Sequence, residues 1–282
     1  MDEELRRQAR SFGPVAASYD RGRPAYPREA AAWLVGRGAA EILELGAGTG
    51  KLTAELLALG HDVLATDPDP SMLAVLRERL PSARTRVASA EETGLPDRSV
   101  DVVVAAQCFH WFDLDHALPE IARVLKPGGM LALAWNQRDE RIPWVRRLGR
   151  IIDSQGQPAE PAQPLVASEL FGFVEERTFT IWQDVNRETL VDLVLSRSNV
   201  AVLEKEARAA KLSEALAFYD DYGRGMDGMQ LPYLTRCYRA RVIAEARPAP
   251  PGTALEGGIP VDIPGDGATD GSETEMLLID FR

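Results

Sequence analysis

The 282-residue chain is 45% apolar and 7% aromatic, enough to bury a sizeable core in one large domain or one domain with a small addition. Its formal charge of −11 repels phosphate backbones and anionic lipid, so nucleic-acid or membrane binding would need a local basic patch. The densest basic run, Arg141 to Arg150, sets four arginines among Trp144, Val145 and Leu148 at helical spacing and reads as a solvated helix face.

Only Cys108 and Cys237 occur, far apart and in no CxxC pattern, which offers neither a disulfide framework nor a zinc site and suits a reducing compartment. The opening MDEELRRQAR is charged rather than of signal-peptide type, and nothing approaches the ~20 apolar residues of a membrane span. The expectation is a cytoplasmic protein with a small-molecule substrate and no metal, nucleic-acid or membrane partner.

In chain order, residues 10–38 combine aromatics with a Pro-punctuated turn, YDRGRPAYP, and a helix AAAWLVGRG ending at glycine, which predicts a cap (1–38) over the loops of a sheet. From about residue 40 to 135, strand-like and helical runs alternate: EILELG, TAELLALG, HDVLATD, SMLAVLRERL, RTRVAS, VDVVVAA, LPEIARVL and MLALAW. The alternation predicts βαβ units on a parallel sheet with right-handed crossovers, within a core spanning 39–153. VDVVVAA and MLALAW lack clean alternation and belong near the sheet centre, covered on both faces. Trp135 and Asn136 end the fifth strand. Residues 154–167 read as a loop. A strand-like FVEERTFTIWQDV, two or three amphipathic helices over about 187–222 and a closing strand CYRARVIAEA follow. Residues 154–247 thus complete the sheet and insert lid helices, and Glu204 to Lys211 reads as a solvated face. The Pro/Gly-rich, acidic 248–282 predicts a mostly disordered tail whose EMLLIDF end is apolar enough to dock.

The segment from Ile42 to Lys51 ends a strand, turns on glycines and opens a helix. Glycine allows close backbone approach, and the helix start offers unpaired N–H groups to a ligand. The dinucleotide fingerprint GxGxxG would need glycine at 51, where Lys51 stands; the spacing of Gly46, Gly48 and Gly50 is GxGxG. Glu44 precedes the loop. Its carboxylate would oppose a pyrophosphate but suit the ammonium and sulfonium of S-adenosyl-L-methionine. Asp67, ending the second strand, can accept both ribose hydroxyls, as an acid does in NAD enzymes too; the N-cap role before PDPSML belongs rather to Asp69 or Ser71.

ELGAGTG, the acid of ATDPDPSML, SAEETGLPDRSVDVVV and ARVLKPGGMLAL resemble, in order, the class I S-adenosylmethionine-dependent methyltransferases over residues 40–135. YDRGRPAYP, AAQCFHWFD, SRSNVAVL and QLPYLTRCYRA look like the subgroup of trans-aconitate methyltransferase-like proteins. The resemblance implies a doubly wound, Rossmann-like α/β fold. Its sheet would be seven-stranded and mostly parallel with an antiparallel last strand, joined by an N-terminal cap and inserted helices. It also implies a cofactor set of Glu44, Gly46, Ala47, Gly48, Gly50, Asp67 and Pro68, with Ser89, Ala90 and Glu91 about the adenine. Serine stands at 89 where the family often has an acid, and a backbone N–H of Ala90 remains available. Gln107 would face the methionine part, and Tyr19 and Arg23 would close from the cap.

Methyl transfer from a sulfonium needs alignment more than an invariant triad. His110, in CFHWF, reads as a general base, a substrate hydrogen-bond donor, or a residue packed against Phe109 and Trp111. Trp111 and Phe112 read as pocket wall, Cys108 as a small buried residue, and Asn136 as a substrate contact or a turn residue. Arg197 reads as a carboxylate-binding group or as half of a surface pair, and Ser198 is its weaker neighbour. The other readings are an NAD-linked oxidoreductase, opposed by Glu44 and Lys51, and a methyltransferase-like binding protein without turnover.

Overall fold

The structure is a computed structural model that describes residues 16–152, 160–197, 200, 203–222 and 228–243. The expectations for the tail 248–282, for Ser198 and for the side chain of Tyr19 lie outside these residues.

The strands β1 (Glu41–Leu45), β2 (Asp62–Asp67), β3 (Arg84–Val87), β4 (Val100–Ala106), β5 (Leu125–Arg138), β6 (Glu175–Val185) and β7 (Met229–Arg241) form one sheet. Their order is β3-β2-β1-β4-β5-β7-β6. The first five pair in parallel, and β7 runs antiparallel to both β5 and β6. The sheet is therefore seven-stranded and mostly parallel, as the sequence leads one to expect, with β4 at its centre. Strand order reverses between β1 and β4, and an open α/β sheet forms its ligand crevice beyond the strand ends at such a point.

Alternation along the strands explains the layers. Leu43 and Leu45 of β1 share one core with Val103, Leu133 and the α-helix at Leu114–Val124 (α5 in chain order). Ile42 faces the other core, with Val102, Val104, Ala132 and helices α2 (Arg28–Val35) and α3 (Lys51–Ala58). Glu44, two residues on from Ile42, therefore points toward α3. Helix α4 (Pro70–Arg79) is N-capped by Asp69, whose side chain accepts from Ser71 N.

A third core joins α6 (Pro143–Ile151), α8 (Arg187–Leu195) and α9 (Lys205–Tyr222) over the end of β7, through Val145, Leu148, Leu193, Phe218 and Tyr233. The short helix α7 (Gln163–Val166) precedes β6. Helix α1 (Ala16–Gly22) is fixed to α8: Arg21 donates to both carboxylate oxygens of Asp192 at 2.7 and 2.9 Å, and Gln183 donates to Gly22 O at 3.0 Å. A Cβ on Gly22 would stand 2.4 Å from the Asp192 backbone, so glycine is what permits this approach.

Three local expectations are corrected. The segment YDRG is helical within α1 and the turn begins only at Arg23, because contacts with α8 outweigh the local turn signal of glycine and proline. Strand β5 continues past Trp135 and Asn136 to Arg138, held by pairing with β7 as far as Arg138 opposite Tyr233. Strand β7 starts at Met229 rather than Cys237. Pro232 hid this start, yet it lies one residue beyond the last β5 pair, where a missing N–H leaves no gap in that ladder.

Candidate active site

The loop after β1 is built from positive-φ glycines with distinct duties. Gly46 has φ +62°, and a side chain there would meet Cys108 Sγ at 2.7 Å. Gly50 has φ +83° and starts α3, and a Cβ there would stand 2.7 Å from Leu76. Gly48 has φ +57°, and nothing lies within 4 Å of where its Cβ would be. Two of the glycines are thus required by packing, while the third keeps a space clear.

The loop is pinned from below. Ala47 N donates to Thr66 O at 2.9 Å, and Gly48 N donates to Asp67 Oδ2 at 2.9 Å. Asp67 Oδ1 accepts from Asp69 N at 2.9 Å. Each oxygen keeps a lone pair for another donor. Burial raises the pKa of this carboxyl above its usual value despite both backbone bonds.

Glu44 is 1% exposed and accepts from Thr53 Oγ1 at 2.7 Å. Burial pushes its pKa up to about 8, so the free protein holds this carboxyl largely protonated at neutral pH.

A cleft open to solvent lies above these groups, and Glu44, Gly46, Ala47, Gly48, Arg23 and Gln107 all line it. Asn136, read as an acceptor contact, lines it too. Its Nδ2 donates to Ala25 O at 3.0 Å and its Oδ1 accepts from Thr235 at 2.6 Å, which ties the cap to β5 and β7. Gln107 sits at φ +63°, rare for a side-chain-bearing residue, and its Nε2 donates to Asn136 O at 3.1 Å. That backbone conformation directs the chain out of β4 and around the cleft.

Other expected site residues stand outside this lining. Asp67 ends β2 beneath the loop, bonded to the cleft residue Gly48, and Pro68, Ser89, Ala90 and Glu91 lie in the segments after β2 and β3; none of the five is part of the lining itself. Ser89 Oγ accepts from Glu92 N at 3.3 Å, and Glu91 Oε1 accepts from Asp113 N at 2.8 Å, so both brace loops. His110 and Trp111 belong to a 3-10 turn, Phe109–Trp111, with ring centroids 4.6 Å apart. His110 Nδ1 is buried and meets no partner, and burial depresses its pKa to about 4. Cys108 donates to Leu45 O at 3.1 Å, and burial raises its thiol well above the usual range, in keeping with a small packed residue. Arg197 follows α8.

Sequence reasoning missed several residues that line the cleft, among them Tyr26, Thr49 and Lys51. Lys51 had been read only as an absent glycine. Thr49 Oγ1 donates to Asp20 of α1 at 2.8 Å, and Arg79 bridges Asp20 Oδ1 (2.7 Å) and Thr49 O (2.8 Å), so the cap is latched to the glycine loop. Such contacts between α1, the loop and α4 have no local sequence signature.

Sheet order, glycine loop and cleft define a Rossmann-like α/β protein with a candidate ligand cleft at the switch point. A methyltransferase domain family matches residues 43–133. An uncharacterized methyltransferase of Mycobacterium tuberculosis is 45% identical over 233 residues, 82% of this chain and 95% of that protein. A trans-aconitate 2-methyltransferase of Variovorax paradoxus is 35% identical over 127 residues, 44% of this chain and 48% of that protein. A solved structure from Anaeromyxobacter dehalogenans, assigned as a type II methyltransferase, shares the fold with a TM-score of 0.60 at 24% identity, covering 78% of this chain and 97% of that one. The chain belongs to the class I S-adenosylmethionine-dependent methyltransferases. Among the described residues no helix is long and apolar enough to cross a membrane.

Proposed function

We propose that this chain transfers the methyl group of S-adenosyl-L-methionine to an oxygen of a small-molecule acceptor, a carboxylate before a hydroxyl, with release of S-adenosylhomocysteine. The observation that carries the reading is Glu44, a buried carboxyl lining a glycine-walled cleft in which Gly48 leaves a space that any side chain would fill. A pyrophosphate would gain no charge attraction from the protonated carboxyl and would be repelled by its ionised form, whereas an ammonium group would draw Glu44 into that ionised form. The residues fit the methyl donor.

In this reading Glu44 holds the ammonium group, and Gln107 faces the methionine part. Asp67 uses its remaining lone pairs for the ribose, with Pro68 beside it, and Gly50 starts the helix that aims backbone N–H groups at the ligand. Ser89, Ala90 and Glu91 flank the adenine; Tyr19 and Arg23 close from the cap. Trp111 and Asn136 border the acceptor. When bound, S-adenosylmethionine supplies a methyl group already activated on sulfur, and alignment with the acceptor oxygen is what the protein adds.

His110 bears on the choice of acceptor. With a pKa near 4 it is neutral but a weak base, poorly matched to removing an alcohol's proton. A carboxylate arrives ionised and needs no base. The flanking resemblance to the trans-aconitate methyltransferase-like subgroup, and the partial match to a protein named for such an acid, support the same choice.

Isothermal calorimetry with S-adenosylhomocysteine and with NADH tests the donor. We expect binding of the first and none of the second; well-folded protein that ignores S-adenosylhomocysteine would sink the reading. Labelled donor incubated with a metabolite extract tests turnover, and base-labile methyl esters are the expected product. Binding without any labelled product would favour a methyltransferase-like protein without turnover.

A further inference from the structure

The inner face of α3 carries a polar side chain among apolar ones. Leu52 and Leu56 of this helix pack with Ile42 and Val63, and Thr53 beside them is 0% exposed. Threonine is a poorer helix former than leucine, and a buried hydroxyl costs stability unless it is bonded. Its usual partner inside a helix is the carbonyl four residues back. Here that carbonyl, Thr49 O, accepts from Arg79 at 2.8 Å. Thr53 Oγ1 donates instead to Glu44 Oε2 at 2.7 Å.

Glu44 is thereby held at both ends. Thr66 of β2, also fully buried, donates through its Oγ1 to Glu44 O at 2.9 Å and fixes the backbone, while Thr53 fixes the carboxyl. Thr53 is not part of the cleft lining, so it acts on a ligand through Glu44. Packing does not call for this pair, because buried polar partners on facing elements can be replaced by apolar side chains of like volume at little cost. What the hydroxyl does is chemical. A donor against a carboxylate favours the ionised form and so works against the burial that favours the protonated one. The other groups about this carboxyl are Asp67 of β2, whose charge favours protonation of Glu44, and the Cys108 thiol after β4. Lys51, at the start of α3, and Arg23 of the cap line the same cleft.

We propose that Thr53 is a positioning residue for the methyl donor: it holds Glu44 Oε2 and stabilises the carboxylate, so that the oxygen it does not hold meets the donor's ammonium group in ionised form. The inference rests on the reading of Glu44 as the ammonium-binding group and adds to it the residue that sets the pH at which the donor binds. One hydroxyl proton is the whole of this role. Serine supplies it; valine and alanine do not. Glu44 is ionised in the complex, and the hydroxyl counts equally in the free ionised protein and in the bound one. Its loss is therefore felt only where the free protein must first give up a proton.

The test is S-adenosylhomocysteine calorimetry on the full chain between about pH 6.5 and about pH 9.5, in buffers of different ionisation enthalpy, for wild type, Thr53→Val, Thr53→Ala and Thr53→Ser. Loss of a hydrogen bond to a charged group should move the Glu44 midpoint up by about one pH unit. Affinity in Thr53→Val should then fall by about tenfold at the acid end and by less than about twofold at the alkaline end. Proton release near pH 8 should rise from about half a proton per ligand toward one. Thr53→Ser should restore the wild-type profile. Thr53→Ala removes the same donor while suiting a helix, and it carries the test should valine disturb the fold. A merely structural role would cost the same affinity at every pH. A loss equal at both ends of the range, no loss, or a loss that serine does not restore overturns the assignment of Thr53. Wild-type protein that binds no S-adenosylhomocysteine at any pH would instead overturn the methyl-transfer reading.

Discussion

The glycine loop and the set of Arg23, Arg138, Arg197 and Tyr233 are assembled in opposite ways. Everything from Glu44 to Thr53 in the loop is contiguous: strand end, three positive-φ glycines and helix start, with Glu44 and Thr53 bonded nine residues apart. The other set draws Arg23 from the cap, where it donates to Ser196 O at 2.9 Å, Arg138 from β5, opposite Tyr233 of β7, and Arg197 from beyond α8. Local chain geometry builds the first, and only the finished sheet and lid build the second. The contrast teaches that a glycine-walled loop is written in a short stretch of sequence, whereas the grouping of residues from distant elements is a property of the tertiary fold.

The largest expected effect tests how rigid the local half is. Gly46→Ala places a methyl 2.7 Å from Cys108 Sγ in a residue held at φ +62°. Left-handed strain and overpacking together cost about 3 kcal/mol, which should weaken S-adenosylhomocysteine roughly a hundredfold as the loop shifts. In Gly48→Ala the strain is similar but no protein atom is struck, so folded stability should fall less than in Gly46→Ala. Thermal melts and calorimetry on both variants decide it; equal melting losses would contradict the division of labour among the glycines.

Next in size is the charge under the loop. Glu44 titrates near 8 in the free protein against an ordinary 4.5, so the folded state binds its proton more tightly than the unfolded chain. Its contribution to stability is therefore full below about 4.5 and is lost as pH rises through about 8, at up to roughly 1.4 kcal/mol per unit. A cationic ligand favours the ionised form, so binding should release a proton and tighten with pH up to about 8. Glu44→Gln should flatten both pH dependences and weaken S-adenosylhomocysteine by roughly tenfold to a hundredfold at pH 8. Calorimetry in buffers of different ionisation enthalpy measures the proton directly. Release that persists in Glu44→Gln would show that another group is titrating.

The same contrast explains what could be read from the residues. The alternation of runs from 40 to 135 is legible because β1, β2, β4 and β5 are buried on both faces and the helices between them on one, and the observed sheet follows it. Glu44, Gly46, Ala47 and Gly48 were legible as a group because they are neighbours in sequence, and they line one cleft. The start of β7 was hidden by Pro232, and α1 was hidden by the Gly and Pro of its turn, since in both places pairing or packing with distant chain overrides the local signal. Lys51, Tyr26 and Thr49 were overlooked as cleft residues because the latch of Asp20 to Thr49 and Arg79 joins three separate elements. Arg138 and Tyr233 stand 95 positions apart and become neighbours only through the β5–β7 register.

His110 lies between the two halves, just after β4, and gives the smallest effect we expect. If the acceptor were an alcohol, loss of a general base would lower kcat by about a hundredfold to ten-thousandfold. With a carboxylate acceptor, His110→Phe should cost less than about tenfold in kcat, since only a hydrogen bond and ring packing against Trp111 are altered. The wild-type rate should show no step from this imidazole above pH 5, because its pKa lies near 4. Stability carries the opposite sign from Glu44. The folded state disfavours the imidazolium, so the cost of His110 appears as pH falls from its ordinary 6.5 toward about 4 and vanishes above 6.5. His110→Phe should therefore narrow that acid-side loss in denaturant titrations while scarcely moving kcat. A drop in kcat beyond a hundredfold with stability unchanged would make His110 a proton acceptor in the reaction. It would also move the acceptor from a carboxylate to a hydroxyl.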